Sequence, residues 1–190
     1  MHVCILMGSP RQNGNTAKLC EAFIHELKLY QFEVEYVVLH GKNIAPCLGC
    51  MHCQNVAGEH GCVQHDDMQS IVEIILRADV LIYATPIYTW QATPPLKAVM
   101  DRMFALNKFY GSAPREILSK TKAVGLIATC GYAPNYGADL LDEAVKRWCK
   151  HSGLSYMGMY AIRDDDFGDL AAKGAREFAG TIIMGLRNDT

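Results

Sequence analysis

The chain has 190 residues, with 18 basic and 20 acidic side chains, a formal net charge of −2, and hydrophobic residues at half of its positions. This length and composition are typical of one compact domain, so we expect a single domain over residues 1–190. The nearly balanced charge offers no basic surface for nucleic acid and no polybasic patch for a membrane. Charged residues interrupt the longest apolar run and no export signal is apparent, so we expect a cytoplasmic protein whose thiols stay reduced.

Strand and helix patterns alternate along the chain. Apolar runs predict strands at 3–7, 32–39, 80–84, 122–130 and 154–162, and helical spacing predicts helices at 16–29, 66–77, 94–103, 138–151 and 170–186. Parallel neighbours need crossover connections, and strands that are apolar throughout are buried on both faces. The pattern therefore predicts an α/β fold, a flavodoxin-like three-layer sandwich with a five-stranded parallel sheet in the order 2-1-3-4-5. Residues 108–120 form a long insertion, which we interpret as a lid or a subunit contact.

A polar loop follows the first strand and leads directly into a helix. Backbone N–H groups and the positive end of the helix meet there, which suits a phosphate. The loop matches neither the Walker pattern nor G-x-G-x-x-G, so it predicts a site for a terminal monophosphate. The alternative is a polar connector in which Asn15 or Thr16 caps the helix. The candidate phosphate-binding residues are Ser9, Arg11, Asn13, Gly14, Asn15 and Thr16.

The segment GSPRQNGNTAKL resembles the phosphate loop of the NAD(P)H-dependent FMN reductases and of the related iron-sulfur flavoproteins. The resemblance continues in PCLGCMHCQNVAGEHGCVQHDDM and ATPIYTWQATPPLKAVMDR, and more weakly in TCGYAPNYGADL. It spans the first two-thirds of the chain, with the motifs in the family's order. The resemblance implies FMN as cofactor and NAD(P)H as electron donor.

Two further loops are expected at the same sheet edge as the phosphate loop, because each follows a buried strand. The resemblance implies flavin contacts for the loop after the third strand, namely Pro86, Ile87, Tyr88, Thr89 and Trp90. Trp90 could equally fill the core or a dimer interface. After the fourth strand, Thr129, Gly131 and Tyr132 are candidates, since Gly131 lets backbone approach a ring closely. We interpret Cys130 as a small buried filler.

Four of the eight cysteines, Cys47, Cys50, Cys53 and Cys62, fall within sixteen residues, at spacings of two, two and eight intervening residues. Four clustered thiolates can surround a [4Fe–4S] cluster or a zinc ion, so these are the candidate metal ligands. The resemblance to iron-sulfur flavoproteins implies a cluster that feeds electrons to FMN, although the spacer before Cys62 is longer than in the compact form of that motif. Free thiols, or a pair that cycles as a disulfide, are the alternative.

The polar residues around the cysteines are interpreted structurally. Three histidines are expected to be exposed loop residues: His52, His60 and His65. Asp66 and Asp67 precede an apolar helix and are interpreted as helix-start carboxylates. Asp101 and Arg102 are interpreted as a solvated or interface pair.

The sequence predicts an FMN-dependent oxidoreductase that carries electrons from NAD(P)H through the flavin to a small-molecule or protein acceptor. We expect hydride transfer to flavin N5, with no side chain acting as general base or nucleophile. One alternative is an iron-sulfur flavoprotein that carries electrons between protein partners without oxidising NAD(P)H directly. Another is a sensor that uses the cysteine loop and binds no flavin. The resemblance and the insertion near Tyr110 favour a homodimer or higher homo-oligomer.

Overall fold

The computed structural model describes residues 1–118, Thr121 and residues 123–188. The strands in this part of the chain are β1 His2–Met7, β2 Glu33–Val38, β3 Val80–Pro86, β4 Asn107–Lys108, β5 Glu116–Ile117, β6 Ala123–Cys130 and β7 Ser155–Arg163. The helices are α1 Asn15–Leu29, α2 Met68–Arg77, α3 Pro94–Arg102, α4 Pro134–Gly137, α5 Asp139–Ser152 and α6 Asp169–Asn188. Lys122, predicted to begin a strand, and Ser119 and Lys120 of the predicted insertion lie outside the described residues.

Five strands form one parallel sheet in the order β2-β1-β3-β6-β7. Counting only these five strands along the chain, the order is 2-1-3-4-5, which confirms the predicted flavodoxin-like fold. The register places Val3 beside Val80 and Val80 beside Ala123. All strands of the sheet therefore end at one edge, where β1, β3 and β6 deliver their following loops.

Alternate residues of the central strands enter two separate cores. Cys4 and Leu6 of β1 pack against α2, α3 and α5 on one face, whereas Val3 and Ile5 pack against α1 and α6 on the other. Burial on both faces explains why these strands are continuous apolar runs in the sequence.

A long loop joins β2 to α2 and carries the clustered cysteines. The chain between α3 and β6 contains a small antiparallel pair, β4 and β5. Apart from Asn107, this pair lies in the predicted insertion, and it contacts the cysteine-bearing loop, as described below. No helix in the described part of the chain combines the length and the apolar character needed to cross a membrane.

Candidate functional site

An open cleft of about 380 Å³ lies at the carboxyl edge of the sheet, between the loops that follow β1, β3 and β6. Its volume is in the range of small-molecule sites. The residues that line it are Ser9, Arg11, Gly14, Asn15, Thr16, Pro86, Ile87, Tyr88, Thr129 and Asp164. The fold thus brings together residues predicted from three separate segments of the sequence. We call this cavity the main cleft.

The phosphate-loop side of the main cleft contains the start of α1. Gly14 occupies the cap position, no side chain bonds to the cap, and the first turn carries no acidic residue. The alternative that Asn15 or Thr16 caps this helix is therefore wrong. Ser9 is buried, and its hydroxyl accepts a hydrogen bond from the Arg11 N–H at 3.1 Å, which shapes the turn. A helix start without a capping side chain or a carboxylate suits an anion, because its N–H groups carry partial positive charge.

Gly8 fixes where the phosphate loop leaves the sheet. Its N–H donates to the Ala84 carbonyl at 2.7 Å, and its carbonyl accepts from the Thr93 hydroxyl at 2.7 Å. A Cβ at this position would lie 2.6 Å from that hydroxyl oxygen and 2.9 Å from Leu96 Cβ. Only glycine allows β1 and α3 to approach this closely.

Two hydrogen bonds cross the main cleft. The Thr16 and Thr129 hydroxyls meet at 2.8 Å in a buried position, and Asn15 Nδ2 donates to Asp164 Oδ1 at 3.0 Å. Asp164 was not predicted from the sequence; its place directly after the last strand of the sheet, at the carboxyl edge, is the signal that could have found it. Asn13 was predicted, but it is exposed and does not line the main cleft.

A second cavity, of about 190 Å³, adjoins the main cleft through the shared residue Ile87. We call it the ring cavity. The Ile87 N–H donates to the Thr129 carbonyl at 2.8 Å, which ties the loop after β3 to the end of β6. The residues that line it are Ile87, Thr89, Trp90, Cys130, Gly131, Tyr132 and Gly137. The predicted flavin-contact residues are thus divided between two neighbouring cavities.

The loop after β3 contains a two-residue turn in an unusual conformation. Tyr88 and Gln91 exchange both backbone hydrogen bonds, at 2.9 and 3.0 Å, around Thr89 and Trp90. Both central residues have positive φ, 49° and 61°. This is the pattern of a type I′ turn, which usually contains Asn and Gly because a β-branched or bulky residue is strained there. Such strain is typical of turns that present side chains to a ligand.

Two aromatic residues, Trp90 and Tyr132, line the ring cavity, and a third packs against both of them. Trp90 stacks on Tyr132 with ring centroids 6.0 Å apart and planes 8° apart, and Tyr136 packs edge-on against both rings. Trp90 Nε1 donates to the Tyr136 carbonyl at 3.0 Å, which fixes the indole. Trp90 therefore packs against other aromatic rings and also lines the cavity, and its contact with a flavin stays a prediction.

Cys130 lies between the ring cavity and β7. The residue is 2% exposed, and its thiol donates to the Tyr132 carbonyl at 3.2 Å. Burial, together with the nearby Asp164 carboxylate, raises the pKa of Cys130. A thiol held protonated in this way is a packing group, in agreement with its interpretation as a filler.

The four clustered cysteines line one small cavity of about 40 Å³ near the end of α3, together with Arg102, Phe104 and neighbouring loop residues. We call it the cysteine pocket. Three of the sulfurs lie within hydrogen-bonding distance of an N–H donor: Cys47 from Gly49 N at 3.4 Å, Cys62 from Arg102 Nη2 at 3.5 Å, and Cys53 from Gln54 Nε2 at 3.8 Å. Within residues 1–118, 121 and 123–188, no three His, Cys, Asp or Glu side chains are grouped closely enough for a single metal ion.

A buried ion pair holds the cysteine-bearing loop against α3. The side chains of Arg102 and Asp66 are 1% and 5% exposed and meet at 2.5 Å. Arg102 also donates to the Ala45 carbonyl at 3.3 Å. The interpretation of Asp101 and Arg102 as a solvated or interface pair is therefore wrong for Arg102, because residues distant in sequence enclose it. Asp101 pairs with Lys97 at the surface.

The insertion holds the same loop from its other side. Gln54 is fully buried; its side chain donates to the Phe104 carbonyl at 3.0 Å and accepts from the backbone N–H groups of Phe109 and Tyr110. Asn55 Oδ1 accepts from the N–H and hydroxyl of Ser112, both at 2.9 Å. This segment therefore anchors the cysteine loop, a role that the interpretation as a lid or subunit contact did not include.

The three histidines of the cysteine-bearing loop differ in solvent exposure. His52 and His65 are exposed, as expected. His60 is half-buried, with Nε2 3.4 Å from the Arg102 carbonyl, and burial lowers its pKa. The expectation of exposure is wrong for His60, because it packs beside the end of α3.

The amino-acid sequence is similar to those of several known proteins. The chain is 33% identical over 144 residues to an iron-sulfur flavoprotein of Archaeoglobus fulgidus, which covers 75% of this chain and 61% of that protein. It is 29% identical over 158 residues to an iron-sulfur flavoprotein of Methanosarcina thermophila, which covers 83% of this chain and 78% of that protein. The chain thus spans less than two-thirds of the first of these relatives.

The fold is shared with an NAD(P)H:quinone oxidoreductase from Methanothermobacter marburgensis, with a TM-score of 0.70, 18% identity and coverage of 96% of each chain. Residues 1–167 match the family described as NADPH-dependent FMN reductase. The chain belongs to the NADPH-dependent FMN reductase family.

Proposed function

We propose that this protein binds FMN in the main cleft and transfers electrons from NAD(P)H through the flavin to an acceptor. The observation that carries the proposal is the main cleft itself, in which an uncapped helix start, two hydroxyls and Arg11 face one space at the carboxyl edge of the sheet. Family membership supports the same cofactor and the same donor.

The residues in the main cleft fit FMN chemically. Backbone N–H groups near Gly14 and the charge of Arg11 suit a phosphate dianion. Asp164 offers carboxylate oxygens, which suit hydroxyl groups such as those of the ribityl chain. When bound, FMN supplies the redox chemistry, since it accepts a hydride and releases electrons singly or in pairs.

The ring cavity provides what a planar ring needs. Trp90 and Tyr132 give apolar faces, and the turn at Thr89 exposes backbone groups beside them. Apart from its two chain neighbours, no atom of the described residues lies within 4 Å of the position that a Cβ on Gly131 would take, so protein packing does not require glycine there. The proposal gives a reason for that glycine, because a flavin ring would occupy the open space.

The phosphate assignment is tested by a matched pair of variants. Asn15→Asp adds a carboxylate inside the main cleft, and Asn13→Asp makes the same change on the same loop outside it. We expect Asn15→Asp to weaken FMN binding about tenfold or more, because like charges repel strongly in a partly buried site, and Asn13→Asp to have a much smaller effect. Isothermal titration calorimetry measures both, and riboflavin, which lacks the phosphate, should bind far more weakly than FMN. Equal effects of the two variants would exclude the proposed phosphate position.

Turnover is tested with the FMN-loaded protein. Steady oxidation of NADH or NADPH in the presence of a quinone or ferricyanide supports the enzyme, and no oxidation of either nucleotide excludes it. Since no side chain in the described site is a proposed base or nucleophile, no single replacement that keeps FMN bound should abolish flavin reduction.

We also propose a homodimer or larger homo-oligomer, which light scattering measures directly.

A second candidate function is electron transfer between protein partners by way of an iron-sulfur cluster. It is favoured by the cysteine pocket, whose lining includes all four thiols and in which three of the sulfurs lie near N–H donors. Hydrogen bonds to sulfur are a usual feature of cluster ligands. Cys47, Cys50, Cys53 and Cys62 would hold the cluster, which would supply one-electron transfer. Helix α3 begins after the loop that follows β3 and ends at the cysteine pocket, and its nine residues are roughly 13 Å long.

Anaerobic purification separates the two candidates. Iron and acid-labile sulfide near four atoms each per chain, with a brown colour, would support the cluster. A yellow protein that contains FMN without iron or sulfide, and that oxidises NAD(P)H, would support the flavin enzyme alone.

A further inference from the structure

The two aromatic side chains that line the ring cavity lie outside the hydrophobic cores. Trp90 is part of the strained turn after β3, and Tyr132, which is 58% exposed, lies in the loop after β6. The backbone bond between Ile87 and Thr129 ties these two loops together, but it precedes both rings in the chain. Burial alone therefore does not set the orientation of the two rings.

Tyr136 contacts both rings and is not among the residues that line the ring cavity or the main cleft. Its carbonyl accepts the Trp90 indole N–H at 3.0 Å, and its ring packs at 83° to both Trp90 and Tyr132, with centroid distances of 5.8 and 5.5 Å. Such edge-to-face contacts are favourable because the positive edge of one ring meets the negative face of another. Tyr136 thus bridges the two nearly parallel rings, whose planes are 8° apart.

Helix α4, which carries Tyr136, is fixed to the end of β6. The N–H groups of Tyr136 and Gly137 donate to the Ala133 carbonyl at 2.9 and 2.7 Å. A Cβ on Gly137 would lie 3.1 Å from Cys130 Cβ and 3.2 Å from the Tyr132 carbonyl oxygen, so glycine lets α4 approach the strand end closely. The backbone of Tyr136 is therefore anchored, although its side chain is on the surface.

We propose that Tyr136 is a positioning residue of the flavin site, which holds Trp90 and Tyr132 in the orientation that a bound flavin ring contacts. This inference rests on the proposed function. Tyr136 acts through the two rings, since it does not line the cavity itself. Side chains that are ordered before a ligand arrives lose less conformational entropy on binding, so the same contacts give a higher affinity.

The test is the fluorescence of FMN bound to the protein. An indole in contact with an excited flavin donates an electron to it reversibly, and this transfer quenches the flavin emission. We expect FMN bound to the wild-type protein to be strongly quenched, and Tyr136→Leu, which removes the bridging ring, to restore the emission several-fold. In the same variant the dissociation constant for FMN should rise about tenfold.

Two controls separate the position of the rings from general effects of substitution. Tyr136→Phe keeps the ring, so its emission and its FMN affinity should equal those of wild type. Tyr30→Leu removes an exposed tyrosine that follows α1, at the opposite edge of the sheet from the ring cavity, and should change neither quantity.

Three results would overturn the inference. If bound FMN is equally quenched in Tyr136→Leu and in wild type, Tyr136 does not position the rings, and the proposed function survives. If wild type binds FMN without quenching it, the flavin ring does not contact Trp90, and the inference fails while the phosphate position stands. If wild type takes up no FMN, the proposed function and the inference fail together.

A second variant decides the matter if Tyr136→Leu does not fold. Pro134→Ala leaves all three rings in place and removes the restraint on φ at the start of α4. Tyr136 is then held less firmly, so the emission of bound FMN should rise. Unchanged emission in Pro134→Ala would contradict the inference.

Discussion

At the residue scale, Thr89 and Trp90 adopt backbone angles that their residue types do not favour. Both have positive φ in a turn that other chains build with Asn and Gly. Thr89 is exposed, so core packing does not compensate for its conformation. Trp90 is held by Tyr132, Tyr136 and a hydrogen bond from its indole. The neighbouring aromatic rings thus stabilise a backbone that the two residues would not adopt alone.

Replacing Thr89 by Asn should stabilise the FMN-free protein. Asn tolerates the left-handed region better than a β-branched residue, so we expect the free energy of unfolding to rise by about 1 kcal/mol. Urea denaturation of the two proteins measures this difference. A lower unfolding free energy in the variant would mean that the Thr89 side chain makes a stabilising contact that outweighs the strain.

At the element scale, the cysteine loop is a long connection held on two sides. Arg102 of α3 binds it through Asp66 and Ala45, and the insertion binds it through Gln54 and Asn55. Loops of this length usually need such anchors to keep one conformation. The thiols are consequently presented by a preorganised segment, although it contains only one short turn of helix, His52–Asn55.

Gly111 is the point of closest contact between the insertion and the loop. A Cβ there would lie 2.1 Å from the Gln54 carbonyl oxygen. We expect Gly111→Ala to destabilise the protein by about 1–3 kcal/mol, because backbone must move to admit the methyl group. Gly180→Ala in α6 is the control: beyond its own helix backbone and chain neighbours, its Cβ would meet no atom of the described residues within 4 Å, so it should stabilise the protein by about 0.5–1 kcal/mol. Thermal unfolding measures the stability of both variants. Equal changes in stability would show that the contact between Gly111 and the Gln54 carbonyl is not tight.

The Arg102–Asp66 pair should make stability depend on pH. Burial raises the pKa of Asp66, but hydrogen bonds from Arg102 and from the backbone of Ala45 and Met68 lower it more, so it lies below its ordinary value. Its contribution is therefore complete above the unfolded-state pKa of about 3.9 and is lost as pH falls through the lower folded-state pKa.

Asp66→Asn should cost about 3–5 kcal/mol at pH 7, since it leaves a buried guanidinium unpaired, and the difference from wild type should shrink below about pH 4. Asp101→Asn removes a carboxylate from an exposed pair with Lys97 and should cost less than about 1 kcal/mol. Urea denaturation at pH 7 and pH 3.5 measures both variants. A pH-independent difference for Asp66→Asn would show that the ion pair is not its cause.

At the scale of the whole molecule, the eight cysteines fall into two classes. Cys4, Cys20, Cys130 and Cys149 are buried, whereas the other four line the cysteine pocket. Burial raises the pKa of Cys4, Cys20 and Cys149 to about 12. The sheet and its helices thus shield four thiols from solvent and keep them protonated, whereas the four clustered thiols are accessible to reagents.

Thiol labelling of the metal-free protein under native conditions should therefore modify no more than four cysteines quickly. Cys47 and Cys50 are exposed and should react first, because reaction requires both access and thiolate. All eight should react in guanidinium chloride. Mass spectrometry after timed alkylation identifies the sites, and rapid native labelling of Cys4 or Cys149 would contradict the packing described here.

Much of the architecture was predictable because it depends on local pattern. Continuous apolar strands alternating with amphipathic helices require a covered parallel sheet, and parallel strands deliver their loops to one edge. For that reason the sequence alone was enough to place Ser9, Thr16 and Pro86 at one site. Asn13 does not line the main cleft, since a loop position does not reveal which way a side chain faces, and its contact with a phosphate stays a prediction. Asp164 was missed because it comes from the far end of the chain.

By itself, the sequence determined the order of the sheet, the place of the polar loop after the first strand and the clustering of four thiols along the chain, since each follows from local patterns of residues. Only the tertiary structure decided that Arg102 is buried against Asp66, that Lys108 donates to the Cys53 carbonyl, and that the insertion anchors the loop. These contacts join segments about 35 to 55 residues apart. No local pattern encodes them, because their energy comes from burial and charge compensation that exist only once the chain is packed.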